Sequence, residues 1–353
     1  MRIAYVLSHD IDKNDGVVKK IIDQSRIWQS LGHKVEIYTI CNSNGKSELA
    51  SKTYPFSGAL KSRLLINKDL YRDVCLFNPD IVYFRYDFWN ATVNALGKKF
   101  KLIIESNTAS KREALLQIKT QRNLKALLRY TSIFIFDDIL TKKIKGVVSV
   151  TDEIYQLEYQ NSDIPHTTIT NSVSLENYSV LKQQKDDDIH LCFLGSPNQP
   201  WQGEDIIEEL ALKMPEYTFH IIGSDGINKQ NVFFHGYLQK SNYQEILKKC
   251  SIAIGTMALE RKGISQACPL KVREYLLGGF PIIIGYDDVV NDDSPSWCLK
   301  ISDTSDEEIR KIRKFVKNNK NYIVPRESLS SISLDQNESR RMKFFQKVKN
   351  NNA

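Results

Sequence analysis

Positively charged residues and one carboxylate cluster between residues 261 and 274. Arg261 and Lys262 lie in a polar loop, and Lys271 lies in the helical pattern that follows it. Cations this close together suit the binding of an anionic group such as a phosphate. Glu274 is one helical turn beyond Lys271, where a carboxylate can accept hydrogen bonds from a sugar diol. A surface helix with a solvated charged side is the alternative, and the charges alone do not separate the two.

The elements around this cluster predict a place for the phosphate. Ile252–Ile254 and Pro281–Ile284 are short, continuous apolar runs, which are typical of buried parallel strands. Pro269 suits the first turn of the intervening helix, and a glycine pair ends that helix. A helix that begins near the carboxyl end of a parallel strand offers free N–H groups and a positive dipole end. We therefore expect Pro269, Leu270 and Lys271 to hold a phosphate.

Short apolar runs alternate with helical patterns along nearly the whole chain. This alternation is typical of α/β proteins with parallel, Rossmann-like sheets. At 353 residues the chain is long enough for two domains, and the polar stretch 171–188 is the candidate linker. We predict an α/β fold of two doubly wound domains that face a central cleft, with domains at 1–180 and 181–353 and a last helix that can cross back to the first. The other predicted strands are Ile3–Leu7, Val35–Ile40, Ile81–Phe84, Leu102–Glu105, Val147–Val150, Thr167–Thr170, Ile189–Leu194, Phe219–Ile222 and Val232–Phe234.

Composition excludes some classes of protein and site. The six cysteines are scattered and the histidines do not cluster, which favours neither a disulfide framework nor a zinc site and suits a reducing cytoplasm. The first apolar run is short, so it predicts a strand rather than a signal peptide. No apolar stretch approaches the roughly 20 residues of a membrane span. A net charge of +7 suggests an anionic partner, which can be a nucleotide, a nucleic acid or a membrane surface.

Residues 268–283, CPLKVREYLLGGFPII, resemble the donor-binding segment of GT-B glycosyltransferases, specifically the family-4-like retaining enzymes of bacterial polysaccharide assembly. That family carries a Glu-x7-Glu element, then a pair of small residues, a proline and a strand. The resemblance implies that Glu274, at the second position, holds the ribose of a nucleotide donor. Gln266 replaces the first glutamate, and its amide could still hydrogen-bond a hydroxyl of the donor sugar.

The resemblance covers nearly the whole chain and implies further donor contacts. Asp15 and Gly16 precede a helix and resemble the glycine loop, whose backbone approaches the donor pyrophosphate from across the cleft. Many relatives carry an arginine and a lysine where this chain has Ser196 and Gln202. Since a departing diphosphate needs compensating charge, we expect Arg261, Lys262 and Lys271 to replace that missing pair.

Three glycines end predicted strands of the second domain. Gly195, Gly223 and Gly236 follow apolar runs, and strand ends of a doubly wound sheet border the ligand crevice. The resemblance places the donor near these glycines, with the nucleobase held largely by main-chain groups near Gly223 and Gly236. His235 is interpreted as an ordinary hydrogen-bonded residue at a strand end.

His9, Asp10 and Glu105 end strands of the first domain and are expected to face the cleft. Their spacing matches no standard metal-ligand pattern. We expect them to contact the acceptor, and we expect neither a metal nor another cofactor. In retaining relatives a phosphate oxygen of the donor is thought to take the acceptor proton, so the resemblance implies no dedicated general base.

Residues 111–129 are strongly basic, with leucine and isoleucine at helical spacing. They fall within a predicted helix from about Ser110 to Ile144. One interpretation is a core-facing helix with a solvated basic side. The other is a surface that docks on anionic lipid and brings the enzyme to an acceptor carried on a polyprenyl diphosphate.

The main functional hypothesis is a retaining glycosyltransferase that moves a sugar from a nucleoside diphosphate donor to a saccharide acceptor, in surface-polysaccharide synthesis. The expected location is the cytoplasm, with peripheral binding to the inner membrane face. A nucleotide-sugar epimerase would need acid and base side chains that the sequence does not reveal. A degenerate partner subunit is favoured by Gln266, Ser196 and Gln202. A nucleic-acid-binding module would need basic residues interleaved with exposed aromatic residues, a pattern that the sequence does not display.

Overall fold

The computed structural model describes residues 1–9, 11, 15–41, 49, 51–55, 63–86, 89–121, 124–181 and 188–351. The chain divides into two compact units. Unit 1 comprises 1–170 together with 334–353, and unit 2 comprises 171–333. This division lies before the expected boundary at 180/181. The physical reason is that residues beyond 170 bond to unit 2, where Asn171 Nδ2 donates to the carbonyl of Cys268 and Ser179 N–H donates to that of Leu277.

Unit 1 is built on a seven-stranded parallel sheet of order β3-β2-β1-β4-β5-β6-β7. The order reverses between β1 and β4, which is where doubly wound sheets have their ligand crevice. The strands are β1 (Arg2–Ser8), β2 (Lys34–Ile40), β3 (Lys52–Tyr54), β4 (Ile81–Tyr86), β5 (Lys101–Ser106), β6 (Ile144–Ser149) and β7 (His166–Thr168). The helices are α1 (Gly16–Ser30), α2 (Lys68–Phe77), α3 (Ala91–Leu96), α4 (Ser110–Gln121), α5 (Leu124–Thr141), α6 (Asp152–Tyr159) and α11 (Leu334–Asn350).

Both faces of this sheet are covered by apolar side chains. Leu70 and Val74 of α2 pack on one face, in a cluster with Val82. On the other face, Trp28 of α1 and Phe345 of α11 belong to a second cluster. This explains why the strands are continuous apolar runs, and it assigns the C-terminal helix to unit 1.

Unit 2 repeats the plan with six parallel strands in the order β10-β9-β8-β11-β12-β13, so its reversal lies between β8 and β11. The predicted fold class, α/β with two Rossmann-like doubly wound sheets, is confirmed. The strands are β8 (Ile189–Leu194), β9 (Tyr217–Ile222), β10 (Val232–Phe234), β11 (Ile252–Ile254), β12 (Ile282–Ile284) and β13 (Cys298–Lys300). The helices are α7 (Glu204–Lys213), α8 (Lys240–Leu247), α9 (Leu270–Leu277) and α10 (Asp306–Asn319).

Two short strands, β3 and β13, were not predicted. The two strands are three-residue edges that include lysines, so they lack the apolar run that marks a buried strand. The single helix expected over residues 110–144 is two helices, α4 and α5, followed by β6. Over the described residues, no helix combines the length and apolar character that spanning a membrane requires.

Candidate functional site

The N-terminus of α9 lies at the carboxyl end of the unit 2 sheet. The chain leaves β11, passes through a 3₁₀ turn at Leu259–Lys262 and enters α9 with Pro269 as the N-cap. Pro269 provides no side-chain cap. Among the described residues, the backbone N–H groups of Leu270 and Lys271 have no acceptor. Two amides are therefore available to an anion there.

A buried ion pair holds α9 in place. Arg273 is fully buried and donates from its two terminal nitrogens to Asp288, at 2.9 Å and 2.8 Å. Its Nε donates to the carbonyl of Asn171 at 2.7 Å. The hydroxyl of Tyr275 accepts the N–H of Leu194, the last residue of β8, at 2.6 Å. These bonds fix α9 against the point where the strand order reverses.

Lys271 directs its ammonium toward β8. The Nζ atom lies 3.8 Å from the ring centroid of Phe193 and 3.5 Å from Oε1 of Gln202. The side chain is half-buried. Burial lowers the pKa of Lys271 to about 7, and the charge of Glu204 only partly opposes that shift. The ammonium is thus poorly compensated, which suits an incoming anion.

Gln202 and Ser196 lie together at this point. The Oε1 atom of Gln202 accepts the N–H of Ser196 at 3.1 Å and is the same atom that faces Lys271. The positions at which the resemblance implied an arginine and a lysine are therefore next to the Lys271 ammonium.

The other two expected cations have partners of their own. The guanidinium of Arg261 pairs with both carboxylate oxygens of Asp205, at 2.9 Å and 2.7 Å, and also donates to the carbonyl of Pro200. The Nζ atom of Lys262 lies 4.8 Å from the ring centroid of Trp201, and the Lys262 side chain is buried. Of the three predicted cations, Lys271 is the one whose charged group meets Gln202.

The three strand-end glycines are brought together. Gly195 N–H donates to Ile222, and Gly223 N–H donates to Gly236 at 2.7 Å. Gly223 has φ +97°, and a Cβ there would lie 2.3 Å from the carbonyl oxygen of Gly195. Glycine is thus required for this close main-chain approach.

Glu204 also lies at the site and was not predicted from the sequence. It is the first residue of α7, and it accepts a hydrogen bond from Ser224. One of its oxygens lies 2.7 Å from where a Cβ of Gly195 would be. An acid in the first turn is an ordinary helix signal, so the sequence did not single it out.

Glu274 is held by two residues of α8. Its Oε1 accepts the hydroxyl of Tyr243 at 2.8 Å and lies 3.0 Å from Nζ of Lys240. Its side chain is 27% exposed. Neither partner was predicted from the sequence, although their spacing along α8 is that of side chains on one side of a helix.

Gln266 lies in the loop before α9. It forms an isolated bridge with Asp287, where the flanking Ala267 N–H donates to the Asp287 carbonyl at 3.0 Å. Its side chain is half-buried. These bonds fix the backbone of the loop beside β12.

In unit 1, the predicted glycine loop begins α1. Asp15 is the N-cap, and its carboxylate accepts the N–H groups of Val17 and Val18. His9 Nε2 lies 3.0 Å from the same carboxylate. Gly16 is exposed and is not among the glycines with positive φ in the described part of the chain. The side chain of Asp15 thus occupies the amides of this helix end. Asp10 lies outside the described residues.

Glu105 requires a correction to the expected acceptor contact. It is fully buried, with Lys20 Nζ at 2.7 Å, Arg85 at 3.0 Å and the hydroxyl of Tyr5 at 3.2 Å. Burial alone would raise its pKa, but the charges of Lys20 and Arg85 hold the pKa well below its usual range. In this structure Glu105 is a counterion inside unit 1 and has no exposed surface for an acceptor.

The basic segment 111–129 falls on α4 and the start of α5. Arg112 and Lys119 are exposed, whereas Ala114 is buried in the core of unit 1. Leu124 is 70% exposed and Leu127 is 47% exposed. Arg122 and the side chains of Lys125 and Arg129 lie outside the described residues.

Two facts about the described part of the chain concern metal and cysteine chemistry. No group of three or more His, Cys, Asp or Glu side chains there could hold a metal ion. The six cysteines are all free thiols.

The sequence matches no protein-family model and no curated protein sequence. Solved structures are similar to it over nearly their whole length. Sucrose-phosphate synthase from Thermosynechococcus elongatus has 8% identity and a TM-score of 0.68, with 98% of each chain covered. The lipopolysaccharide outer core galactosyltransferase WaaB in its apo form has 13% identity and a TM-score of 0.64, covering 98% of this chain and 99% of WaaB. HepE from Anabaena, in complex with UDP and glucose, has 9% identity and a TM-score of 0.65, covering 98% of this chain and 99% of HepE.

Identities this low carry information on the fold and not on activity. These similarities extend over both units and support the GT-B fold that the sequence resemblance implied. This chain therefore shares the fold of these proteins.

Proposed function

We propose that this protein is a glycosyltransferase that transfers a sugar from a nucleoside diphosphate donor to a saccharide acceptor. The observation that carries the proposal is the uncapped N-terminus of α9, with the Lys271 ammonium beside it at the reversal of the unit 2 sheet. A site of this kind suits a diphosphate. A protein of the same fold, HepE from Anabaena, was solved with UDP and glucose, which adds support.

The proposed donor contacts follow from the geometry of unit 2. The amides of Leu270 and Lys271 and the Lys271 ammonium would bind the diphosphate, and Glu274 would accept hydrogen bonds from the ribose. The strand ends at Gly195, Gly223 and Gly236 would border the donor. Gln266 would hydrogen-bond a hydroxyl of the transferred sugar.

The proposed reaction retains the anomeric configuration and needs no metal. Negative charge develops on the leaving diphosphate, and fixed N–H donors with a nearby cation stabilise it without reorganisation. A phosphate oxygen of the donor would take the proton of the acceptor hydroxyl. Lys271 is the cation that supports this proposal most directly, because Arg261 is paired with Asp205.

We further propose a saccharide acceptor carried on a polyprenyl diphosphate, a role in surface-polysaccharide synthesis, and a cytoplasmic location at the inner membrane face. Support comes from the basic segment 111–129, where exposed Arg112 and Lys119 precede exposed Leu124 and Leu127. Basic side chains on α4 followed by apolar side chains at the start of α5 suit anionic lipid.

A screen of UDP-, GDP- and ADP-sugars, with and without a lipid-linked saccharide, tests the function. We expect hydrolysis or transfer with one nucleotide, and retention seen by NMR of the first-formed product. Lys271→Met should lower kcat/KM by about 100-fold, since removing one transition-state donor typically costs that much. Lys317→Met, at an exposed position of α10, is the matched control and should stay within about twofold of wild type. Failure of every nucleotide sugar to bind would refute the proposal.

A non-catalytic partner subunit that binds a nucleotide sugar is the second candidate. The specific observation in its favour is that Arg261 and Lys262 are engaged with Asp205 and Trp201, which leaves less charge for a leaving group. It predicts tight donor binding without turnover, even with acceptor present. Single-turnover assays with radiolabelled donor separate the two candidates.

A further inference from the structure

One oxygen of Glu274 receives both contacts from α8. The hydroxyl of Tyr243 donates to Oε1 at 2.8 Å, and the ammonium of Lys240 lies 3.0 Å from the same atom. No donor among the described residues reaches Oε2. An ionised carboxylate has about four sites for hydrogen-bond donors. A half-buried carboxylate with one oxygen anchored and the other without a protein donor suits a ligand with hydroxyl groups.

The two contacts differ in how firmly they can hold the carboxylate. The Lys240 side chain is 45% exposed, and exposed ion pairs are screened by water and contribute little. Tyr243 is half-buried, and its side chain is stiff because it has only two rotatable bonds. Burial, and next the charge of Glu274, raise the pKa of Tyr243, so the phenol remains a donor at physiological pH. Tyr243 is therefore the contact that determines where Oε1 lies.

The neighbouring elements make this contact a fixed one. Glu274 stands on α9, which the buried Arg273–Asp288 pair anchors. Tyr243 stands on α8, whose Leu247 is fully buried. The bond between the two side chains thus joins two packed helices, and it sets the direction of the carboxylate as well as its position.

We propose that Tyr243 is a positioning residue that orients Glu274 toward a vicinal diol, and that it thereby sets the preference of this site for ribonucleotides over 2′-deoxyribonucleotides. This inference rests on the proposed function, because it names the part of the donor that Glu274 recognises. Removing the phenol oxygen frees the carboxylate to rotate, so that its unoccupied oxygen no longer meets both hydroxyls. Affinity for the deoxynucleotide depends less on that orientation and changes less.

Calorimetric titration of the full chain with UDP, GDP, ADP and CDP and their 2′-deoxy counterparts tests the inference. For the base that binds, wild type should prefer the ribose form by about tenfold, the value of one good hydrogen bond to a charged group. Tyr243→Phe keeps the ring and should reduce that preference to about twofold or less. Glu274→Gln, which keeps the shape of the side chain, should reduce it similarly.

Two controls separate positioning from general damage. Tyr155→Phe removes a hydroxyl that donates to the Ile164 carbonyl in unit 1, and it should leave the ribose preference unchanged. Lys240→Met should retain most of the ribose preference, because the Lys240 end of its ion pair with Glu274 is exposed. A merely structural loss would lower affinity for both forms together and leave their ratio intact.

The outcomes are distinct. A Tyr243→Phe protein that melts like wild type and keeps the full ribose preference overturns the inference. A wild-type protein that binds a nucleoside diphosphate equally well in both forms also overturns it, while the proposed function stands. If wild type binds no nucleoside diphosphate, the proposed function fails and this inference fails with it.

Discussion

The ammonium of Lys271 lies between the ring of Phe193 and the amide of Gln202, in surroundings that favour the neutral amine. Glu105 shows the opposite case, since Lys20 and Arg85 keep its buried carboxylate ionised. At the scale of single residues, the Lys271 ammonium therefore lacks a strong partner, whereas the Glu105 carboxylate is fully compensated. Lys271 is thus a candidate for ligand binding, and Glu105 contributes to stability.

We expect binding of a nucleoside diphosphate sugar to take up a proton through Lys271. The pKa of Lys271 is about 7 without ligand, and a bound diphosphate favours the ammonium and raises that pKa. Affinity should therefore fall as pH rises above 7, by up to about tenfold per pH unit, and level off above the pKa of the complex. Calorimetry in buffers with different ionisation enthalpies measures the uptake.

Lys271→Arg is the matched control, because a guanidinium stays charged over this range. Its affinity should be nearly independent of pH between about 7 and 9. Equal proton uptake by this variant and wild type would show that another group titrates.

Glu105→Gln should lower the free energy of unfolding by about 3–5 kcal/mol at pH 7, because it leaves buried cations without their counterion. Urea denaturation measures the loss. Since the folded pKa of Glu105 is below its unfolded value, its contribution to stability is present above about pH 4.5 and is lost as pH falls further.

Asp69→Asn is the control, because Asp69 and Arg72 form an exposed pair, and it should cost less than about 1 kcal/mol. Equal losses in the two variants would contradict the role given to Glu105.

At the scale of elements, the two helix N-termini expected near the diphosphate differ. Asp15 caps α1 with its own carboxylate, whereas Pro269 leaves the first amides of α9 without a side-chain partner. An anion at the N-terminus of α1 would have to displace the Asp15 carboxylate. At the N-terminus of α9 it would have no side-chain cap to displace. The C-terminal helix α11 has a structural role of its own, because it completes the core of unit 1. In α11, Glu338 accepts the Trp28 indole N–H at 2.7 Å.

Phe345→Ala should lower the free energy of unfolding of unit 1 by about 3–5 kcal/mol, the usual cost of a phenyl-sized cavity. Phe345 is fully buried, and its ring lies 4.9 Å from that of Tyr83 and 5.7 Å from that of Trp28. Hydrogen exchange should report the loss in unit 1 while amides of unit 2 keep their protection. Lys343→Ala, an exposed neighbour in α11, should change stability by less than about 0.5 kcal/mol. A loss of protection in unit 2 alone would refute the assignment of α11 to unit 1.

At the scale of the whole molecule, each unit has its own parallel sheet and its own apolar clusters. The donor contacts proposed above all lie in unit 2. A ligand that binds one folded unit stabilises that unit by mass action. The two units are therefore expected to respond differently to the same nucleotide.

A nucleoside diphosphate at about 100 times its Kd should stabilise unit 2 by about 2.7 kcal/mol. Hydrogen exchange followed by mass spectrometry should show slower exchange in α9 and at the ends of β8 and β9. Amides of β1 and β4 in unit 1 serve as the internal control. Protection confined to unit 1 would contradict the placement of the donor.

Periodicity and turn residues by themselves determined most of the fold. Continuous apolar runs mark β1, β8 and β11 because both faces of a parallel sheet are buried. The start of α1 at Gly16 follows from local chemistry, since Asp15 is a good N-cap. The short edge strands β3 and β13 could not be predicted, because pairing with a neighbour, rather than an apolar run, makes them strands.

The candidate site was predictable in its residue types but not in their partners. Sequence spacing placed Lys271 and Glu274 one helical turn apart, since helical periodicity is local, and the family resemblance implied the role of Glu274. Only the tertiary structure decided that Tyr243 bonds to Glu274, that Asp205 pairs with Arg261, and that Glu105 is a buried counterion. These partners are distant in sequence. Whether a charged side chain is free to bind a ligand or is neutralised depends on the residues that lie beside it in the folded protein.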